Sequence, residues 1–263
     1  MAGRPQWTDD KVVKGVKNYE LLSWKYYLNF INKEMLDFTG YVYRGHACRK
    51  WKLEPTIDRI INDPNSHKRE VHLEKFKFET RGRRGSNPPL IEDDNDWWAL
   101  GQHHGLATPL LDWTESPFVA LFFAANTALH YQSEYITINA LAIAGINERN
   151  DIVNADDEIV KINGHKPTVK IVRPLSDENN RLVSQRGLFT RGPNNMDIES
   201  WIVKFETPKN DEEYDLIKIH IPNKDMESCL RYLNRMNINH STIFPDLTGA
   251  SDFCNKHLSI SQY

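Results

Sequence analysis

The chain has 263 residues, 40% apolar and 26% charged, with a formal net charge of −3. This balance suits a globular fold with a sizeable core and gives no whole-protein attraction to nucleic acid or an anionic membrane. No apolar run approaches the roughly 20 residues that span a bilayer. The opening MAGRPQWTDDKVVKG has no apolar leader, and Cys48, Cys229 and Cys254 show no zinc-type spacing. An odd cysteine count without a leader predicts free thiols in a reducing, cytoplasmic compartment, with no membrane partner.

Residues 18–36 predict an amphipathic helix, with Leu21, Trp24, Leu28, Ile31 and Met35 at helical spacing and Asn18 as its cap. Gly40 ends it, so residues 1–39 read as a helical N-terminal extension packed on one domain over 40–263. GYVYRGH (40–46) predicts a strand with Tyr41 and Tyr43 on one face, Val42 and Arg44 on the other. A charged helix follows over 67–80, and Asn87-Pro88-Pro89 breaks the chain. Asp93 or Asp94 caps a short helix carrying Trp97, Trp98 and Leu100, with Gly105 as its stop. Ser116-Pro117 then starts a helix, PFVALFFAANTAL, that is apolar on nearly every side and therefore central and buried.

The period next changes to two. Strands are predicted over 135–145, 168–174, 200–206 and 215–222. A helix over 224–236 starts behind Asn223 and buries Met226, Leu230 and Leu233, and 240–245 reads as a closing strand. Helices mainly in the N-terminal half and strands in the C-terminal half predict an α+β fold with a mixed or mostly antiparallel sheet. GxGxxG and GxxxxGK[ST] are both missing, which argues against dinucleotide-binding and P-loop folds.

The densest chemistry runs from Trp97 to Ala125, where Gln102, His103, His104, Thr108 and Asp112 sit among tryptophans. Polar groups set among aromatics need partners, which makes this junction a candidate site. Adjacent histidines on a helix point about 100° apart. His103 and His104 therefore fit separate roles, as hydrogen-bond donor or general acid–base, better than a shared metal, and no metal is expected. A satisfied, partly buried ring is the alternative for each. Asp112 is expected to be buried and to orient Arg44 or a histidine; capping the following helix is the alternative.

Arg44 either grips a phosphate or pyrophosphate through its two-pronged fork or pairs with a carboxylate such as Asp112. Gly45 allows close approach of a ligand or backbone, or makes a plain turn. Trp97, Trp98 and Trp113 stack on a base or fill the core. The basic run Lys75, Lys77, Arg81, Arg83 and Arg84 reads as solvated surface. With no basic stripe interleaved with aromatics found, nucleic acid is not expected as a partner.

Tyr43-Arg44-Gly45 resembles the Phe-Arg-Gly motif of the FRG domain family, and Trp51, Leu53, Pro55 and Arg59 resemble the run that follows it. QHHGLATPLLDWTESPFVALFFA resembles the family's longest signature. Asn180, Arg181, Gln185, Gly187 and Phe189 resemble a third block, and Phe244-Pro245-Asp246-Leu247 with Gly249 a closing one. Tyr43 replaces the usual Phe, and Ala107 and Pro109 stand where many members carry Pro and Arg. The resemblance makes residues 40–263 the FRG domain.

More distantly, the aromatic-Arg-Gly strand is similar to the first motif of Arg-Ser-Glu-type ADP-ribosyltransferases. That similarity implies an ADP-ribosyltransferase-like fold and an effector of the bacterial toxin or anti-phage type that consumes NAD. It also implies a macromolecular acceptor and a regulatory partner protein. Arg44 would hold the pyrophosphate, Gln185 and Thr190 beside Ser184 would line the base pocket, and His104 or Asp112 would stand in for the family's late Glu. The segment expected to supply that Glu, NINHSTIFPD, has none. Gly45, Gln102, His103, Thr108 and Trp113 would complete the ligand contacts. The missing Glu keeps a second reading open, a nucleotide-binding sensor without turnover.

Overall fold

Alternating apolar residues build most of the strands: β1 (Trp7–Asp9), β2 (Val16–Leu21), β3 (Tyr41–His46), β4 (Leu110–Thr114), β5 (Tyr135–Ala142), β6 (Lys170–Val172), β7 (Gly187–Arg191) and β8 (Leu216–Pro222). They come from a computed structural model that describes residues 5–174, 180–207 and 214–263. Among these residues the strands form one sheet in the order β1-β2-β8-β5-β3-β4-β7-β6. β2 and β8 run parallel, Val16 opposite Leu216; the other neighbours are antiparallel.

Each sheet face buries its own core. Tyr43, Ile138 and Ile219 face one side, where α4 (Pro117–Ala128) and α8 (Met226–Arg235) cover them. Val42, Leu141 and Leu216 face the other, under α5 (Ile143–Ala155) and α7 (Ile198–Lys204). α4 begins as its sequence predicts: the Ser116 hydroxyl accepts from Val119 N–H and Pro117 takes the first helical position. The helix lies directly on β3. A Cβ at Gly45 would sit 1.9 Å from the Ala120 carbonyl oxygen and 2.9 Å from Ala124 N, so only glycine lets helix and strand meet. On the second face, fully buried Arg149 pairs with fully buried Asp215 at 2.6 Å.

The α+β class stands, but the segregation of helices and strands does not. β1 and β2 lie inside the supposed helical extension, of which residues 1–4 fall outside the described residues. Residues 16–21 form a strand because β8 offers them an open edge, so Asn18 caps nothing. The helical turns start only at Ser23, whose hydroxyl accepts from Lys25 N–H, and run through α1 (Tyr27–Phe30) to a wider turn ending at Met35. The predicted strand over 200–206 is α7: Ile198, Trp201 and Ile202 form a buried helical stripe behind an Asp197 cap. The predicted closing strand over 240–245 holds instead α9 (His240–Ile243), started by a reciprocal cap between Asn239 and Thr242, and α10 (Leu247–Ser259) follows. Strands β4 and β7, α5 past Ala142 and the short α6 (Asn180–Ser184) were not foreseen. The charged helix α2 (Lys68–Glu79) and α3 (Asp94–His103), capped by Asp93, lie where predicted, and Gly105 past the end of α3 adopts φ +85°.

Removing one partner of a buried ion pair strands the other charge. Arg149→Met should therefore cost about 3–5 kcal/mol in urea-induced unfolding. A loss below about 1 kcal/mol, within surface-mutation range, would contradict the closed-pair assignment.

Candidate functional site

The sheet opens between β3 and β4. Their pairing is confined to Tyr43 opposite Thr114. Continuing that register would set Gly45 opposite Asp112; instead the strands part, and a cleft of about 730 Å³ lies against the gap. Arg44 bridges it. Its Nη1 donates to the Asp112 backbone carbonyl at 2.8 Å and lies 3.4 Å from the Asp112 carboxylate, while its Nε donates to His46 Nε2 at 3.1 Å.

These contacts fix protonation states. His46 accepts on Nε2, so the neutral ring carries its proton on Nδ1. Burial pushes the His46 imidazolium down to about 3, helped by the Arg44 charge and opposed by a backbone hydrogen bond with Trp51. Burial also draws the Arg44 guanidinium below its usual value, against the pull of Asp112. Lys50, Lys52, Arg59 and Arg181 add positive charge to the lining, with Glu54 and Asp112 as its carboxylates among the described residues. Arg59 rides a tight turn (Thr56–Arg59) clamped from beneath: buried Asp58 accepts from Arg69 Nη2 at 2.8 Å and from Asn195 N–H at 3.0 Å. Arg181 is held by Asp246 at 2.7 Å and lies over the Phe244 ring.

Of the residues expected at the site, the cleft gathers Arg44, Gly45, Gln102, His103, Asp112, Trp113 and Gln185. His104, Thr108 and Thr190 are not in its described lining. His104 follows the last residue of α3 and turns out to solvent, which leaves His103 as the cleft histidine of that pair. Thr108 is buried and hydrogen-bonds Gln102 from behind. Thr190 is buried and accepts from Trp113 Nε1 at 2.9 Å, which ties the indole into the core. Gly45 serves the approach of α4 backbone. Asp112 departs from its expected burial: its side chain is 59% exposed. Trp98 is core, and Trp97 packs against that same cluster. Among the described residues no group of three His, Cys, Asp or Glu side chains is placed to share a metal ion.

Residues 39–133 match the model of the FRG domain family. The chain carries an FRG domain. No curated protein and no solved structure matches the chain. The matched FRG segment contributes β3, the Thr56–Arg59 turn, α3, β4 and α4, hence one wall of the cleft. Leu182, Gln185 and Phe244 of the opposite wall lie beyond it.

His46 is the site residue that sequence reasoning missed outright, although its place two residues after Arg44 puts both side chains on one strand face. Trp51, Arg59, Arg181 and Phe244 were visible only as motif positions without roles. Lys50, Lys52 and Glu54 carried no signal beyond adjacency.

A buried neutral histidine links stability to pH. His46, at about 3, and His220, at about 4, both lie below the ordinary 6.5 of an unfolded chain. On acidification the unfolded state therefore binds protons first, and stability falls as pH drops from about 6.5 toward these values. The loss approaches about 1.4 kcal/mol per pH unit for each such ring. Urea midpoints should fall steadily between neutral pH and pH about 5, and less steeply in His46→Gln, whose amide oxygen can still accept from Arg44. A wild-type midpoint that is flat across that range would refute it.

Proposed function

We propose that the cleft of this FRG domain is a nucleotide site that takes NAD and breaks its nicotinamide–ribose bond, by transfer of ADP-ribose or by hydrolysis. The observation that carries the reading is Arg44. It is locked in direction by His46 and the Asp112 carbonyl, yet keeps 23% of its side-chain surface exposed in a cleft with four further cations. A fixed guanidinium suits a pyrophosphate, and Phe123 and Phe244 offer apolar flanks to a base. In the reaction nicotinamide leaves with the electron pair of the glycosidic bond, and the sugar carbon gains cation character. A lone pair from the acceptor, or from water, closes the new bond, and its proton passes to a carboxylate or solvent. Glu54 and Asp112 are the carboxylates that would stabilise that carbon or accept that proton. A protein that consumes NAD would arrest its own cell, which fits an effector of toxin or anti-phage type held in check by a partner protein.

One observation favours a second reading, a sensor that binds a nucleotide without turnover. The segment that would supply a late catalytic Glu is α9, with Asn239 spent as its cap and His240 buried against Phe122.

NAD followed by mass spectrometry, with and without cell lysate as acceptor, separates the two. Wild type should consume NAD; Arg44→Ala should lower the rate a hundredfold or more, and Arg44→Lys should recover little, because a lysine lacks the fork. Free nicotinamide alone marks hydrolysis, and a modified macromolecule marks transfer. No turnover by wild type, together with thermal stabilisation by NAD or another nucleotide, would replace the enzyme reading with the sensor.

A further inference from the structure

A second surface begins where the cleft ends. The turn after β3 carries Arg49, Lys50, Trp51 and Lys52 in succession, all exposed. Backbone bonds fix the turn: Arg49 N–H donates to the Tyr135 carbonyl at 3.2 Å, Trp51 N–H to the Cys48 carbonyl at 3.1 Å, and the Ser133 hydroxyl to the Ala47 carbonyl. The Trp51 ring stands edge-to-face to His46 at 5.9 Å and to Tyr131 at 5.0 Å. Trp51 is 39% exposed and Tyr131 42%. The Arg49 guanidinium lies over the Tyr135 ring at 5.0 Å, with Glu20 3.9 Å away.

The aromatic rings thus make a ledge from the cleft floor to the surface, with cations along it. Lys50, Trp51 and Lys52 line the cleft, whereas Arg49 and Tyr131 lie outside its described lining. The alternation of cation and aromatic therefore runs past anything a small nucleotide in the cleft would cover. Core packing does not explain it either, because the side chains are exposed. The interleaving does not show in the sequence, because the fold brings Tyr131 to Trp51 from a distant segment. Exposed rings interleaved with cations suit single-stranded nucleic acid, since every base has a π-face and every linkage a negative charge. Past Tyr131, Glu134, Asp225 and Glu227 bound the ledge with negative charge, so it fits a short stretch of strand.

We infer that this ledge binds single-stranded nucleic acid. Bases stack on Trp51 and Tyr131, phosphates lie along Arg49, Lys50 and Lys52, and one nucleotide reaches the mouth of the cleft. The binding stands on its own; the strand's role as the ADP-ribose acceptor rests on the transfer reading above.

The test is fluorescence anisotropy of the full chain with a labelled single-stranded oligonucleotide of about twelve nucleotides, a length within the usual site sizes. Affinity should fall steeply with salt. Trp51→Ala should weaken binding fivefold to about a hundredfold, the range for loss of one stacking ring. Tyr131→Ala should weaken oligonucleotide binding but leave thermal stabilisation by NAD unchanged. Lys75→Glu with Arg83→Glu, in the other basic run, should change neither. No binding at low salt, or binding lost through Lys75 and Arg83 and not through Trp51 and Tyr131, would overturn the inference. Equal competition by polyglutamate would overturn it in favour of an acidic protein partner. The two readings fail separately. NAD stabilisation without oligonucleotide binding removes the ledge alone, and oligonucleotide binding without stabilisation by any nucleotide removes the cleft reading alone.

Discussion

The parting of β3 from β4 is the constraint on which the site depends. A sheet that stayed zipped past Tyr43 and Thr114 would spend the backbone groups of β3 on a ladder and leave no gap. Here a side chain does the bridging. The Arg44 guanidinium takes the Asp112 carbonyl, so the gap stays open without an orphaned acceptor. The helix behind it keeps β3 in place, because α4 rests on the Gly45 backbone at a distance that a methyl group would forbid. On the far side α6, β7 and Phe244 complete the cleft. The fold thus holds one arginine rigidly at a break in its own sheet.

That arginine differs from its neighbours in how its charge is met. Arg149 and Arg69 face carboxylates at 2.6 and 2.8 Å, with both partners buried, and each is a closed structural pair. Arg44 faces a carboxylate at 3.4 Å that is itself mostly in solvent. Its other side-chain partner, His46, is neutral and offers a lone pair but no charge. Such an environment orients a cation without neutralising it, which is what the proposed binding of an anion requires of Arg44.

Much of the site was legible because its residues fall in motifs that no packing rule requires. The Tyr-Arg-Gly strand, Gln102 and His103 at the helix end and the Asp-Trp pair all line the cleft. Less legible was which member of each pair faces inward. His103 and His104 are equivalent in sequence, and the helix end at Gly105 decides between them. Thr108 and Thr190 read as site residues but spend their hydroxyls on Gln102 and Trp113. The fold errors share one cause. Residues 16–21 and 200–206 each satisfy two periods, and partners remote in sequence choose between them: β8 for the first, the apolar face under α7 for the second. The exposed Asp112 shows the limit of reading burial from flanking Leu111 and Trp113, because a strand sends neighbours to opposite faces.

The position of β8 also sets an order of assembly. It lies between β2 and β5, yet it is the last strand in sequence among the described residues. As a ribosome releases this polypeptide, β3 and β5 have each other to pair with and β2 has β1 on one edge, but the other edge of β2 waits for a strand encoded some two hundred residues downstream. Contacts so remote in sequence are slow to close. The Phe244 side of the cleft emerges later still. The nascent chain thus spends most of that time with an open sheet edge and an unfinished pocket, so whatever the pocket does begins only after Phe244 has been made.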